Sequence, residues 1–212
     1  MKKDDHLDEK IIKMIDQVET PEATTVPATD IKTETPPEER TIYTGIKIDG
    51  KWIEFAPRLF VEDKISMMVP KEFKDLDLEI AKIKYPMEQR PQTILTDYTG
   101  TVNIIFNYMD EKIANNDIEM IRDRLLAMIQ RMNPGIKPQS TGKEEIEDKT
   151  IAYVEFSNTA LDGKLYNLMY FLEVDGKALV GSLNCLTKSM KYWKKPAFEM
   201  MQSIKILEPE RN

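Results

Sequence analysis

The chain has 212 residues, 41% of them apolar and 32% charged, enough for one well-buried core with appendages and ordinary for a soluble globular protein. The net charge of −7 is uneven: residues 1–40 hold 11 acids and 6 bases, so the rest is near neutral, which argues against a general nucleic-acid binder. No apolar run approaches the roughly 18 residues of a membrane-spanning helix. The lone cysteine, Cys185, leaves no intramolecular disulfide and fits a reducing, cytoplasmic setting.

Leu7, Ile11, Met14, Ile15 and Val18 recur at the helical interval and predict an amphipathic helix within residues 1–19. Its flanks hold two lysines but no apolar leader core, so it does not read as a secretory signal. A helix this short is marginal in water and must dock, whether on its own body, a second copy or a partner. Residues 20–40, rich in Thr, Pro and Glu, cannot bury enough surface to offset ordering entropy and read as a flexible linker. The tethered helix is thus a candidate interaction element, the alternative being a tail without function.

Residues 41–212 read as a single α+β domain. It opens on a hairpin over 41–55 with Asp49-Gly50 at the turn and Ile46, Ile48, Ile53 and Phe55 on one face. The stretch DKISMMVPKEF predicts a strand ending at Pro70, followed by an acidic turn at 75–77. Ile80 to Tyr85 alternates as a strand and stops before Pro86. A loop over 86–92 and a strand over 93–97 lead through Tyr98-Thr99-Gly100 into TVNIIFNYM, with Val102, Ile104 and Phe106 on one side. The main helix begins near Asn116, where Asn116 and Glu119 have capping-box spacing. Ile118, Ile121, Leu125, Met128, Ile129 and Met132 form its apolar stripe, and Asn133-Pro134-Gly135 ends it. Residues 136–150 are polar, a loop or a protruding strand pair; within them EEIED (144–148) reads as a solvated charge run.

Residues 151–186 carry the strongest pattern: three antiparallel strands joined by Asp162-Gly163 and Asp175-Gly176. Two-residue turns place Tyr153, Tyr166, Leu168, Tyr170, Leu172, Leu179 and Leu183 on one face. Val154, Phe156, Met169, Phe171 and Val180 fall on the other, so both faces should be covered. The same register sets Asn158 opposite Asn167 and Asn167 opposite Asn184. That row reads either as a self-satisfying polar ladder or as the floor of a polar ligand pocket. Glu155 falls opposite Tyr170 and needs a lysine or water. Beyond Leu186, Lys188, Lys191, Lys194 and Lys195 interleave with Tyr192 and Trp193, as anchors with snorkelling lysines or as a patch for phosphates or anionic lipid headgroups. Pro196 suits the first turn of a last helix, which buries Ala197, Met200, Met201 and Ile204, and SIKIL returns as a short strand.

The segments ISMMVPKEF (65–73), NIIF (103–106), the meander 151–186 and YWKKPAFEMMQSIKI (192–206) stand in an order that resembles the PsbP-like superfamily. That group includes the photosystem II extrinsic subunit P, the yeast Ran-release factor and bacterial DcrB-like proteins. The resemblance covers roughly residues 60–207. It implies an α/β/α sandwich around an antiparallel sheet and a role in binding other proteins or assisting assembly, and it carries over no functional residue.

The only histidine, His6, lies in the tail, so the body has no His-based triad or His metal cluster. A thiolate cluster lacks its second cysteine, and no glycine-rich phosphate loop is present. Catalytic, metal and cofactor residues are therefore not expected. The leading reading is a non-enzymatic protein-interaction or chaperone/assembly module with a protein partner. The alternative is a small-ligand or lipid-binding domain with a pocket between sheet and helices, the asparagine row at its polar end.

Overall fold

The computed structural model describes residues 40–85, 90–160 and 163–207; Leu7, Ile11, Met14, Ile15 and Val18 lie outside these described residues. Among the described residues, twelve strands and three α-helices follow in order: β1 (Ile46–Ile48), β2 (Lys51–Ile53), β3 (Phe55–Phe60), β4 (Ile65–Pro70), β5 (Lys74–Asp75), α1 (Leu78–Lys84), β6 (Thr93–Thr96), β7 (Val102–Lys112), α2 (Ile118–Met132), β8 (Lys137–Ile146), β9 (Lys149–Ala160), β10 (Gly163–Val174), β11 (Lys177–Leu186), α3 (Met190–Gln202) and β12 (Lys205–Ile206). A seven-stranded antiparallel sheet runs β5-β6-β7-β11-β10-β9-β8, a three-stranded sheet runs β12-β4-β3, and β1-β2 is a separate hairpin.

Both faces of the large sheet are covered, each by its own core. On one face Tyr166, Leu168, Tyr170, Leu179 and Leu183 pack beneath the small sheet (Phe60, Ile65, Met67) and α3 (Trp193, Met200, Met201). On the other, Ala152, Val154, Phe156 and Phe171 pack against Ile118 and Ile121 of α2. The two apolar faces expected for the meander are thus the inner surfaces of an α/β/α-type sandwich.

The β10–β11 register is as expected, with Asn167 opposite Asn184 and a left-handed Asp175-Gly176 turn (φ 51 and 74). The first hairpin slips by two: Gly163 already pairs with Ala160, so Asn158 faces Leu165 and Glu155 faces Leu168. An even slip keeps every side chain on its face, because side chains alternate with period two.

Local structure departs from the sequence pattern at three places and, over residues 137–146, takes the strand-pair form of the two expected there. Residues 78–84 form a helix, not a strand, because Asp77 Oδ1 accepts from the amides of Glu79 (2.8 Å) and Ile80 (3.3 Å) and starts a turn. Helix α2 starts at Ile118 after a 3-10 turn over Asn115–Asp117, without the Asn116–Glu119 box; Asn115 Oδ1 instead accepts from Thr150 N and ties that turn to β9. Residues 137–146 are strand β8 at the sheet edge. Pro196 lies inside α3, which begins at Met190. The strand Phe55–Phe60 was not foreseen, and its Pro57 is tolerated because β3 is an edge.

Candidate functional site

Helices α1 and α2 stand over the same face of the large sheet. Ile94, which shares a depression with Leu78 and Ala81 of α1, pairs with Ile105 and so shares its face. Ser182 and Met169 continue that row towards α2. Helix α2 is pinned at its N-terminal half, where Ile118, Ile121 and Arg122 are buried and Arg122 donates to the Gly142 carbonyl at 3.0 Å. Further along, Leu125, Leu126 and Ile129 are half-buried, and Met128 and Met132 are 47% and 66% exposed. The apolar stripe that starts the helix therefore outruns the surface beneath it.

A groove of about 540 Å³ follows from this geometry, walled by Leu125 and Ile129 and floored by Met169, Val180 and Met109. Its polar end holds Arg90, Gln92 and Asn107. The Gln92 side chain is engaged as if it were a strand: its Nε2 donates to the Tyr108 carbonyl (3.0 Å) and its Oε1 accepts from Tyr108 N (2.9 Å). Asn107 Oδ1 accepts from Gln92 N at 3.2 Å. Among the described residues, Arg90 Nε and Asn103 Oδ1 are buried without a hydrogen-bond partner. Arg90, in the polar loop QRPQ, carried no local signal; its significance arises only where α2 and the sheet converge.

The asparagine row lies on this same face. Asn103, next to β11, extends it to four residues: Asn103 Nδ2 donates to Asn184 Oδ1 (2.9 Å), and Asn167 Nδ2 donates to the diagonal Asn158 Oδ1 (2.8 Å). The amides pair largely with one another, and the grooves of 540 and 340 Å³ have other linings.

On the opposite face, Glu155 is 4% exposed and accepts from Ser140 Oγ (2.5 Å), Tyr166 OH (2.7 Å) and Lys194 Nζ (2.7 Å). Burial alone would push its carboxyl up, but these three donors outweigh burial and hold it below the usual range. The cluster ties α3 to the sheet, with Lys194 as the lysine that Glu155 required. In the neighbouring patch, Trp193 is buried against Phe73 (5.7 Å between ring centroids), Lys191 lies over Tyr192, and Lys195 donates to the Arg40 carbonyl. These contacts are those of core anchors with outward lysines. Burial pushes the Cys185 thiol up to about 12, which removes its nucleophilic form at neutral pH. A second depression, of about 340 Å³, lies between the β1–β2 hairpin, Tyr98 and Trp193; at its rim Lys51 pairs with Glu72 at 2.5 Å.

No group of three or more His, Cys, Asp or Glu side chains capable of holding a metal occurs among the described residues, and none of their helices is long and apolar enough to cross a membrane. No family model and no curated protein sequence matches the chain. Among solved structures, the cyanobacterial PsbP (CyanoP) from Synechocystis sp. PCC 6803 superposes with a TM-score of 0.55 at 10% identity, over 72% of this chain and 92% of that one. LpqN of Mycobacterium tuberculosis, described as involved in cell envelope biogenesis, matches with a TM-score of 0.49 at 12% identity, over 80% and 98% of the two chains. Protein PA94 of Pseudomonas aeruginosa, described as a putative regulator of unknown function, follows at 0.43 and 13%, over 74% and 99%. The first of these establishes a PsbP-like fold, as the order of sequence segments led one to expect.

Proposed function

We propose that the protein is a non-catalytic accessory module that binds another protein through the C-terminal half of α2, with the N-terminal segment 1–19 as a second contact. The observation that carries this reading is the unburied end of the α2 stripe. Met128 and Met132 belong to the same apolar stripe as Ile121 and Leu125, yet they face solvent at 47% and 66% exposure. Methionine adapts its shape to irregular apolar partners, which suits such a surface to docking. The PsbP-like fold is compatible with an accessory role, and the buried, paired state of Glu155 and the raised Cys185 thiol favour a structural use for both.

Affinity capture with the full chain, with Met128→Asp/Met132→Asp, and with a chain lacking residues 1–35 tests the proposal. The double substitution is expected to abolish capture of a specific partner while leaving the melting temperature within a degree or two, since both side chains are exposed. Removing residues 1–35 is expected to weaken the same association and leave the body folded. Retention of the partner by the double variant would sink the α2 assignment. A truncated chain that unfolds or precipitates would show the N-terminal segment to be part of the core.

A further inference from the structure

The groove beside α2 combines apolar walls with one unanswered cationic donor. Burying an N–H of a charged group without an acceptor is unfavourable, and the fold carries that cost at Arg90 Nε. Its polar neighbours bond elsewhere: Gln92 to the Tyr108 backbone and Asn107 Oδ1 to the Gln92 amide. Asp110 at the mouth is held by Lys177 at 2.9 Å, which keeps its carboxyl below the usual range. Arg90 Nε itself is closed to solvent, but the half-buried side chain lines the groove, where an anionic oxygen would meet a charged donor.

We infer that this groove binds a small amphiphile with a carboxylate head and an unbranched apolar tail, the head on Arg90 and the tail along Leu125, Ile129, Met169 and Val180. A guanidinium presents planar, paired donors that match a carboxylate. One arginine in a groove that also bears Asp110 suits a single negative charge better than a phosphate dianion. The volume of about 540 Å³ falls in the range of small-molecule sites. Met109 and Met169 can conform to a flexible chain. The inference stands apart from the docking reading, because a partner can be missing while the amphiphile binds, and the reverse.

The test is calorimetric titration of the full chain with decanoate, 1-decanol and decyl phosphate, repeated on Arg90→Gln and Arg90→Lys. Decanoate is expected to bind about ten- to a hundredfold more tightly than decanol, the range that a hydrogen bond to a charged group supplies. Arg90→Gln should reduce decanoate to the affinity of decanol without changing decanol binding or the melting temperature. Arg90→Lys, which keeps the charge but loses the planar fork, should fall between. Methyl resonances of Met109 and Met169 should shift on addition of decanoate, and those of Met67 and Met200 in the opposite core should not. Equal affinity for decanoate and decanol, absence of binding, or indifference to Arg90→Gln would each overturn the assignment. Preference for decyl phosphate would overturn the carboxylate head. Shifts confined to methionines outside the groove would overturn its location.

Discussion

Glu155 is a buried carboxylate whose titration bears on stability. Its carboxyl titrates below its ordinary value of 4.5, because the lysine, serine and tyrosine donors outweigh burial. A folded-state value lower than the unfolded one contributes stability that is complete above the unfolded value and is lost as pH falls through the folded one. Thermal melts should therefore be flat with respect to this group at neutral pH and drop below about pH 4. Glu155→Gln should remove part of that acid dependence and cost about 1–3 kcal/mol at pH 7, as hydrogen bonds to a buried charge are lost. If the variant retains the full acid slope, the cluster is not its source. Gly181 makes a second residue-scale case. It lies directly opposite Tyr170, and a Cβ there would come within 2.1 Å of the tyrosine ring. Tyr170 cannot easily retreat, since it packs edge-on to Phe106 (6.3 Å) and its hydroxyl lies 3.5 Å from Met67 Sδ. Gly181→Ala should destabilise the protein by about 1–3 kcal/mol by overpacking. A denaturant midpoint unchanged from the parent would show that the ring can move.

Among elements, α1 shows how a short alternating segment is decided. The run IAKIKY satisfies a strand pattern over six positions, too few to exclude a helix. Asp77 tips the choice by accepting two amides, supported by Glu79 in the first turn and Lys82 and Lys84 in the last. Asp77→Ala should cost about 0.5–2 kcal/mol and raise amide exchange in residues 78–84 before any other segment. Exchange that stays uniform across the body would show the cap to be dispensable. Helix α2 shows the opposite relation between pattern and environment. Its stripe was legible over its whole length, but only its first half is buried. Periodicity reports which side of a helix is apolar; how far the neighbouring sheet extends beneath that side is set by strands β9, β10 and β11.

For the whole molecule, the sequence alone determined the two-faced meander, because Asp-Gly turns and period-two alternation are local. Asp175 and Gly176 adopt the positive φ angles that such a turn needs, and every meander side chain assigned to a face lies on it. The order of segments likewise anticipated the PsbP-like arrangement seen in the superposition with CyanoP. What the tertiary structure decided was which strands are neighbours and what they bring together. The two-residue slip of the first hairpin leaves the face pattern intact, so alternation could not detect it. Asn103 joins the asparagine row only because β7 pairs with β11, at a sequence separation of 81 from Asn184. Lys194 reaches Glu155 only because α3 crosses the sheet. Arg90 acquires its orphaned N–H only where its loop meets the groove between α2 and the sheet. Burial and hydrogen-bond satisfaction depend on contacts distant in sequence, and no local pattern of residues encodes them.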